Sequence, residues 1–152
     1  MSAMSYKTKI DAKQFGNIIK KLQLKKEQVE SATQKASEHI GNFMLDETTR
    51  LCPRDTGTLE NSLSLALKQE GHEYLAIVYI TPVANPKYTG SQGGQPRYST
   101  DYARAAHDLI APEGYKNRGP GTRKKGSDAG GGFMRRALQD NRNVYMEIYK
   151  RS

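Results

Sequence analysis

The segment Cys52-Pro53-Arg54-Asp55-Thr56-Gly57-Thr58-Leu59-Glu60-Asn61-Ser62 divides the chain into a helical half before it and a β-forming half after it. Pro53 has no amide hydrogen and cannot continue a helix. Asp55 and Thr56 carry short acceptors that bond nearby backbone amides in Asx- or Ser/Thr-type turns, and Gly57 tolerates the positive φ that such a reversal uses. Leu59 and Leu63 are apolar anchors beyond it. The segment therefore reads as a helix stop, a capped turn and a strand start.

Upstream, Asp11 and Gln14 have the spacing of a capping box and open a first helix. Phe15, Ile18, Ile19 and Leu22 share one face of it, while Lys13, Lys20, Lys21 and Gln23 take the other. The register lapses near Leu24-Lys25, which predicts a break. A longer second helix then runs to Leu51, with Val29, Ala32, Ala36, Ile40, Phe43, Met44 and Leu51 three or four apart. Its narrow, alanine-rich face lets a sheet or a neighbouring subunit come close. Downstream, Leu63, Leu65 and Leu67 alternate with Ser62, Ser64, Ala66 and Lys68, the period of a half-buried strand. Gly71-His72 reverses the chain, with Glu70 and Glu73 as solvated charges that blunt the hairpin tip. Leu75, Ile77 and Tyr79 alternate with Ala76, Val78 and Ile80, predicting a second strand apolar and covered on both faces, ended by Pro82. Two strands alone are barely stable, so the hairpin must pack on the long helix or pair further.

Residues 85–99 are rich in Pro, Gly, Ser, Gln and Tyr without a period and read as a long exposed loop. Tyr102, Ala103, Ala106 and Leu109 form a short structured segment, either strand or helical turn. A second long loop, 112–132, carries Lys116, Arg118, Arg123, Lys124 and Lys125 among many glycines. Phe133, Met134, Ala137, Leu138, Val144, Tyr145 and Ile148 then lie at helical spacing, a C-terminal helix anchored by Phe133, Met134 and Leu138. The fold class expected is α+β: long N-terminal helices on a small, mostly antiparallel sheet, with a C-terminal helix and two long loops. Residues 1–152 form a single domain, with 1–10 a flexible N-terminus.

With 36% hydrophobic residues, no Trp and a mean hydropathy of −0.80, the core is expected to be thin and elongated. No run is apolar enough to span a bilayer, and Met1 to Lys9 lacks the apolar core of a secretory signal, so synthesis in the cytosol is expected. Cys52, the single cysteine, reads as a small buried apolar group. His39, His72 and His107 have no second ligand at metal spacing, and no cofactor is expected. His107-Asp108 lacks a nucleophile elbow. The Gly119-Pro120-Gly121 loop is not in phosphate-loop order, since no Ser or Thr directly follows its lysines. The chain is therefore expected not to be an enzyme. Its net charge of +8 favours nucleic acid, an acidic protein partner or simple solubility.

The pattern Pro-x-Asp-Thr-Gly-x-Leu-x-x-Ser, carried by Pro53, Asp55, Thr56, Gly57, Leu59 and Ser62 between a long polar helix and a hairpin, resembles the head-tail joining proteins of long-tailed bacteriophages. These tail-completion or neck proteins are often labelled minor capsid or tail-component proteins. Tyr102-Ala103-Arg104-Ala105-Ala106-His107-Asp108 looks like the family's Tyr-Ala segment, Gly119-Pro120-Gly121-Thr122-Arg123-Lys124 like its basic loop, and Phe133-Met134-Arg135-Arg136-Ala137-Leu138 like its last helix entry. The likeness covers about Lys25 to Asn141. Two departures stand out: Gly130-Gly131-Gly132, where relatives often have a proline before the aromatic, and the long loop after Pro82.

The resemblance implies a structural virion protein at the head-tail interface, a homo-oligomeric ring of six joining head connector or stopper proteins to the tail terminator or tube. On that basis Arg118, Arg123, Lys124 and Lys125 dock an acidic protein neighbour, touch the phosphates of genomic DNA in passing, or are simply solvated. The alternative is a small basic nucleic-acid-binding module, for which Tyr88, Arg97, Tyr98, Tyr102, Arg104, Tyr115 and Lys116 interleave aromatic and basic groups.

Overall fold

A computed structural model describes residues 12–54, 57–84, 98–100, 103 and 129–152. Helix α1 runs without interruption over Ala12–Leu51, 40 residues or about 60 Å at 1.5 Å per residue. The break expected near Leu24-Lys25 is absent. Leu24, Lys25, Lys26 and Glu27 are all strong helix formers, and a lapse in apolar period interrupts burial without interrupting the backbone. Asp11 lies outside the described residues. At the other end, Cys52 N–H still bonds Thr48 O at 2.9 Å before Pro53 halts the run.

A short helix, α2 (Thr58–Asn61), stands between the turn and the hairpin, where a strand start was expected. Ser62 accordingly belongs to the turn that ends α2 and not to the strand: its N–H and its hydroxyl both reach Leu59 O, at 3.1 and 2.7 Å. Strands β1 (Leu63–Glu70) and β2 (Glu73–Ile80) form an antiparallel hairpin with Leu63 opposite Ile80 and Glu70 opposite Glu73. Leu63, Leu65, Ala76 and Ile80 lie on the face toward the helices. The contact is close at Gly41 of α1, where an added Cβ would stand 2.9 Å from a Leu65 methyl and 3.0 Å from Ala76 Cβ. The opposite face holds Leu75, Ile77 and Tyr79, and Ile77 and Tyr79 are exposed. Coverage of β2 on both faces is therefore not found: Ile77 and Tyr79 stay exposed, and the described helices lie on the other side of the hairpin.

The C-terminal helix is two helices, α3 (Phe133–Asp140) and α4 (Arg142–Arg151), hinged at Asn141. Asn141 Nδ2 donates to Ala137 O at 3.1 Å, a local side-chain bond that competes with helix continuation. Helix α4 returns along α1. Phe43 and Tyr145 meet edge to face at 5.7 Å, and Ser152 lines a groove with Leu24, Gln28 and Ala32. The chain is thus α+β, a long helix carrying a hairpin and two C-terminal helices.

Among the described residues the main buried cluster lies at one end of the body. Leu51, Cys52, Leu59, Ala103, Phe133 and Ala137 form it, with Leu63, Ile80 and Met134 packed against it. The helix stop, the turn, the hairpin ends and the start of α3 all meet there.

Candidate functional site

The Pro-x-Asp-Thr-Gly-x-Leu-x-x-Ser segment lies over this cluster. Pro53 is half-buried, Leu59 and Ser62 are buried, and Asp55 and Thr56 lie outside the described residues. Gly57 has φ 84° and ψ −6°, in the left-handed region, and its carbonyl accepts from Asn61 N–H at 2.9 Å. An ion pair across the turn joins Arg54 Nε to Glu60 Oε2 at 3.2 Å. A Cβ at Gly57 would have room, the nearest atom being Asn61 Nδ2 at 3.7 Å, so only backbone strain opposes substitution. Gly57→Val should therefore cost about 1–3 kcal/mol, and Gly57→Asn clearly less, because Asn tolerates the left-handed region. Equal melting temperatures for wild type and the valine variant would mean that the turn carries no such strain.

Two further segments close on the junction in ways the sequence pattern did not show. Ser99, expected in a long exposed loop, is fully buried: its hydroxyl donates to Thr81 O at 2.6 Å and accepts from Val83 N–H at 2.9 Å, while its own N–H donates to Val83 O at 2.8 Å. With the Ala84–Tyr98 bridge, it ties residues 98–100 to the end of β2, and Ser99 and Ala103 are helical. The segment around Tyr102, for which strand and helical turn fit the sequence equally, is helix at Ala103. The last residues of the second loop are likewise held against the junction. Ala129, Gly130 and Gly132 are buried, and Gly130 N–H donates to Leu51 O at 2.8 Å, satisfying a carbonyl that the end of α1 leaves open. Residues 85–97 and Arg118, Arg123, Lys124 and Lys125 lie outside the described residues.

Of the three expected anchors of the last helix, Phe133 is fully buried and Met134 packs on the cluster, but Leu138 is 54% exposed. Ala137 takes the inward position instead, one turn after Phe133, and Leu138 falls on the far side of a helix only eight residues long.

The polar groups of this end act as fasteners. Thr48 Oγ1 donates to Met44 O at 2.6 Å, and Tyr145 OH to Ala137 O at 2.5 Å. Glu47 takes a two-pronged contact from Arg50, at 3.0 and 2.8 Å, and an amide bond from Asn141 at 3.4 Å. The Arg50 guanidinium holds the Glu47 carboxyl below its usual range, and burial beside that carboxylate pushes the Tyr145 phenol up. Cys52 is buried, its thiol 3.5 Å from Pro53 O. His72 Nδ1 lies 3.5 Å from Glu30 Oε1, where the hairpin tip meets α1. Among the described residues no three His, Cys, Asp or Glu side chains are grouped to hold a metal ion, and no helix is long and apolar enough to cross a membrane. The geometry is that of a joint, which ties Ser99, Ala103 and Ala129 to the end of α1 and the ends of the hairpin.

Compared with protein-family models, with curated proteins and with solved structures, the chain matches none.

Proposed function

We propose that this chain is a non-enzymatic structural subunit of a bacteriophage neck, which assembles into a closed ring and joins the head connector to the tail. The order of its segments supports this reading, since the turn, hairpin, Tyr-Ala segment, basic glycine-rich segment and aromatic helix entry follow one another as in the family it resembles. One structural observation carries it furthest. The segment that holds Arg118, Arg123, Lys124 and Lys125 is bounded in the chain by Ala103 and Ala129, both buried. A basic segment flanked by two buried positions suits docking on an acidic neighbour. A main buried cluster at one end of the described body, with large apolar side chains exposed elsewhere, suits a subunit that gains stability when identical copies pack head to tail.

In this role the basic segment grips a protein and leaves DNA free to slide. Arg123→Glu with Lys124→Glu should block the joining of heads to tails while melting is unchanged, because charges in a glycine-rich loop, as the sequence predicts there, contribute little to stability. Normal yields of joined particles would overturn the docking role. If the variant joins particles normally but binds duplex DNA more weakly, with a slope of log K against log salt lower by about 0.9 for each phosphate no longer neutralised, the nucleic-acid reading takes its place.

A further inference from the structure

Helix α1 outruns the body that it carries. The hairpin tip reaches it at Glu30, through His72, and the C-terminal Ser152 at the groove that begins with Leu24. Residues 12–29 therefore project past the hairpin tip, by about 27 Å at 1.5 Å per residue, and residues 12–23 past the C-terminus as well. Phe15, Ile18, Ile19, Leu22 and Val29 on this projection are all exposed, Ile18 at 52% and Leu22 at 61%. At 100° per residue they occupy the same side of the helix as Ala36, Ile40 and Met44, which are buried or half-buried. The core-facing stripe simply continues past the end of the core.

A second uncovered apolar surface lies on the outer face of the hairpin. Leu75, Ile77 and Tyr79 stand there beside Ala66, and at the tip end Glu70 and Glu73 face each other directly. Like charges in that arrangement are unfavourable without a cation nearby. Lys68 is the single cation that the described strands place on this face.

We infer that these two surfaces are the halves of one contact between copies of this chain: the projecting stripe of α1 lies on the outer hairpin face of the next copy. Charge decides this pairing over a symmetric one. Lys20, Lys21, Lys25 and Lys26 line the projection against one acidic residue, Glu27, so two stripes laid face to face would oppose lysine with lysine. Laid on the hairpin, the same helix brings Lys21 and Lys25, which flank the stripe, to Glu70 and Glu73 of the neighbour. Dimensions agree as well. Phe15 to Leu22 spans about 10 Å of helix and Leu75 to Tyr79 about 14 Å of strand. The two surfaces are different and both belong to every copy, so the contact is heterologous and repeats from copy to copy. It deepens the ring-subunit reading and rests on it for closure of the ring, while the contact itself stands on the two faces.

Site-directed disulfide capture with the full chain tests it, since buried Cys52 offers no competing thiol. Two variants at exposed positions, Ile18→Cys and Ile77→Cys, are made at different masses by an affinity tag. Mixed under mild oxidation, they should give the mixed dimer as the main product, and Leu22→Asp in the first or Leu75→Asp in the second should abolish it. A single chain carrying both cysteines should give a ladder of multimers. Predominant Ile18→Cys homodimers would overturn the pairing in favour of a symmetric one. A double-cysteine chain that stays monomeric, or mixed dimers that survive Leu22→Asp and Leu75→Asp, would overturn it outright. Each of these failures leaves the neck reading to be judged separately, by head-tail joining with the basic-segment variant.

Discussion

Replacing Phe133 with alanine should remove about 3–5 kcal/mol of stability, which for a chain of this size is a large part of the whole. Among the described residues Phe133 is the largest fully buried side chain, and three of the five others in its cluster, Cys52, Ala103 and Ala137, are small. Small neighbours fixed on different segments cannot close over the missing ring, so the cavity left behind adds to the cost of the lost apolar burial. Leu138→Ala, in the same helix, should stay within about 0.5 kcal/mol of wild type because Leu138 is exposed. Urea denaturation of the three proteins checks both values. Equal losses at the two positions would mean that α3 does not present Phe133 and Ala137 to the core.

The second large effect is expected at Gly41. Valine there should cost about 1–3 kcal/mol or more, because its Cβ would meet Leu65 and Ala76 at 2.9 and 3.0 Å and its branches would need further room. A Leu65 methyl can swing aside, but Ala76 Cβ moves only with the strand, so the hairpin must lift from α1. Gly16 provides the opposite case within the same helix. Nothing lies within 4 Å of a Cβ at that site, and Gly16→Ala should raise stability by up to about 1 kcal/mol through helix propensity alone. Thermal melting of the two variants should therefore move in opposite directions. A stabilising Gly41→Val would show that helix and hairpin are not in close contact.

The periodicities that mark α1, β1 and β2 are local properties, written in residues two, three or four apart, and so the helix, the hairpin and the reversal at Gly71-His72 could be read from the chain alone. The Gly57 conformation belongs to the same class, since only glycine adopts φ 84° without strain. Leu138 shows where such reading stops. Phe133, Met134, Ala137 and Leu138 define a helical stripe broad enough to hide which member faces inward, and the kink at Asn141 then divides one expected helix into two. Gly41 carried no periodic signal because its role is set by a strand that crosses it from elsewhere in the chain.

By itself, then, the sequence determined that a helix ends and a hairpin begins on either side of residues 52–62 and where that hairpin reverses, because backbone sterics and side-chain periodicity act over a few residues. Only the tertiary structure decided that Ser99 and Gly130 leave their loops to bond Thr81, Val83 and Leu51, that Ala137 rather than Leu138 faces the core, and that α1 continues past the hairpin with its apolar stripe uncovered. Those outcomes depend on which distant groups arrive at an unsatisfied carbonyl or an apolar face, and the spacing of neighbouring residues carries no record of that.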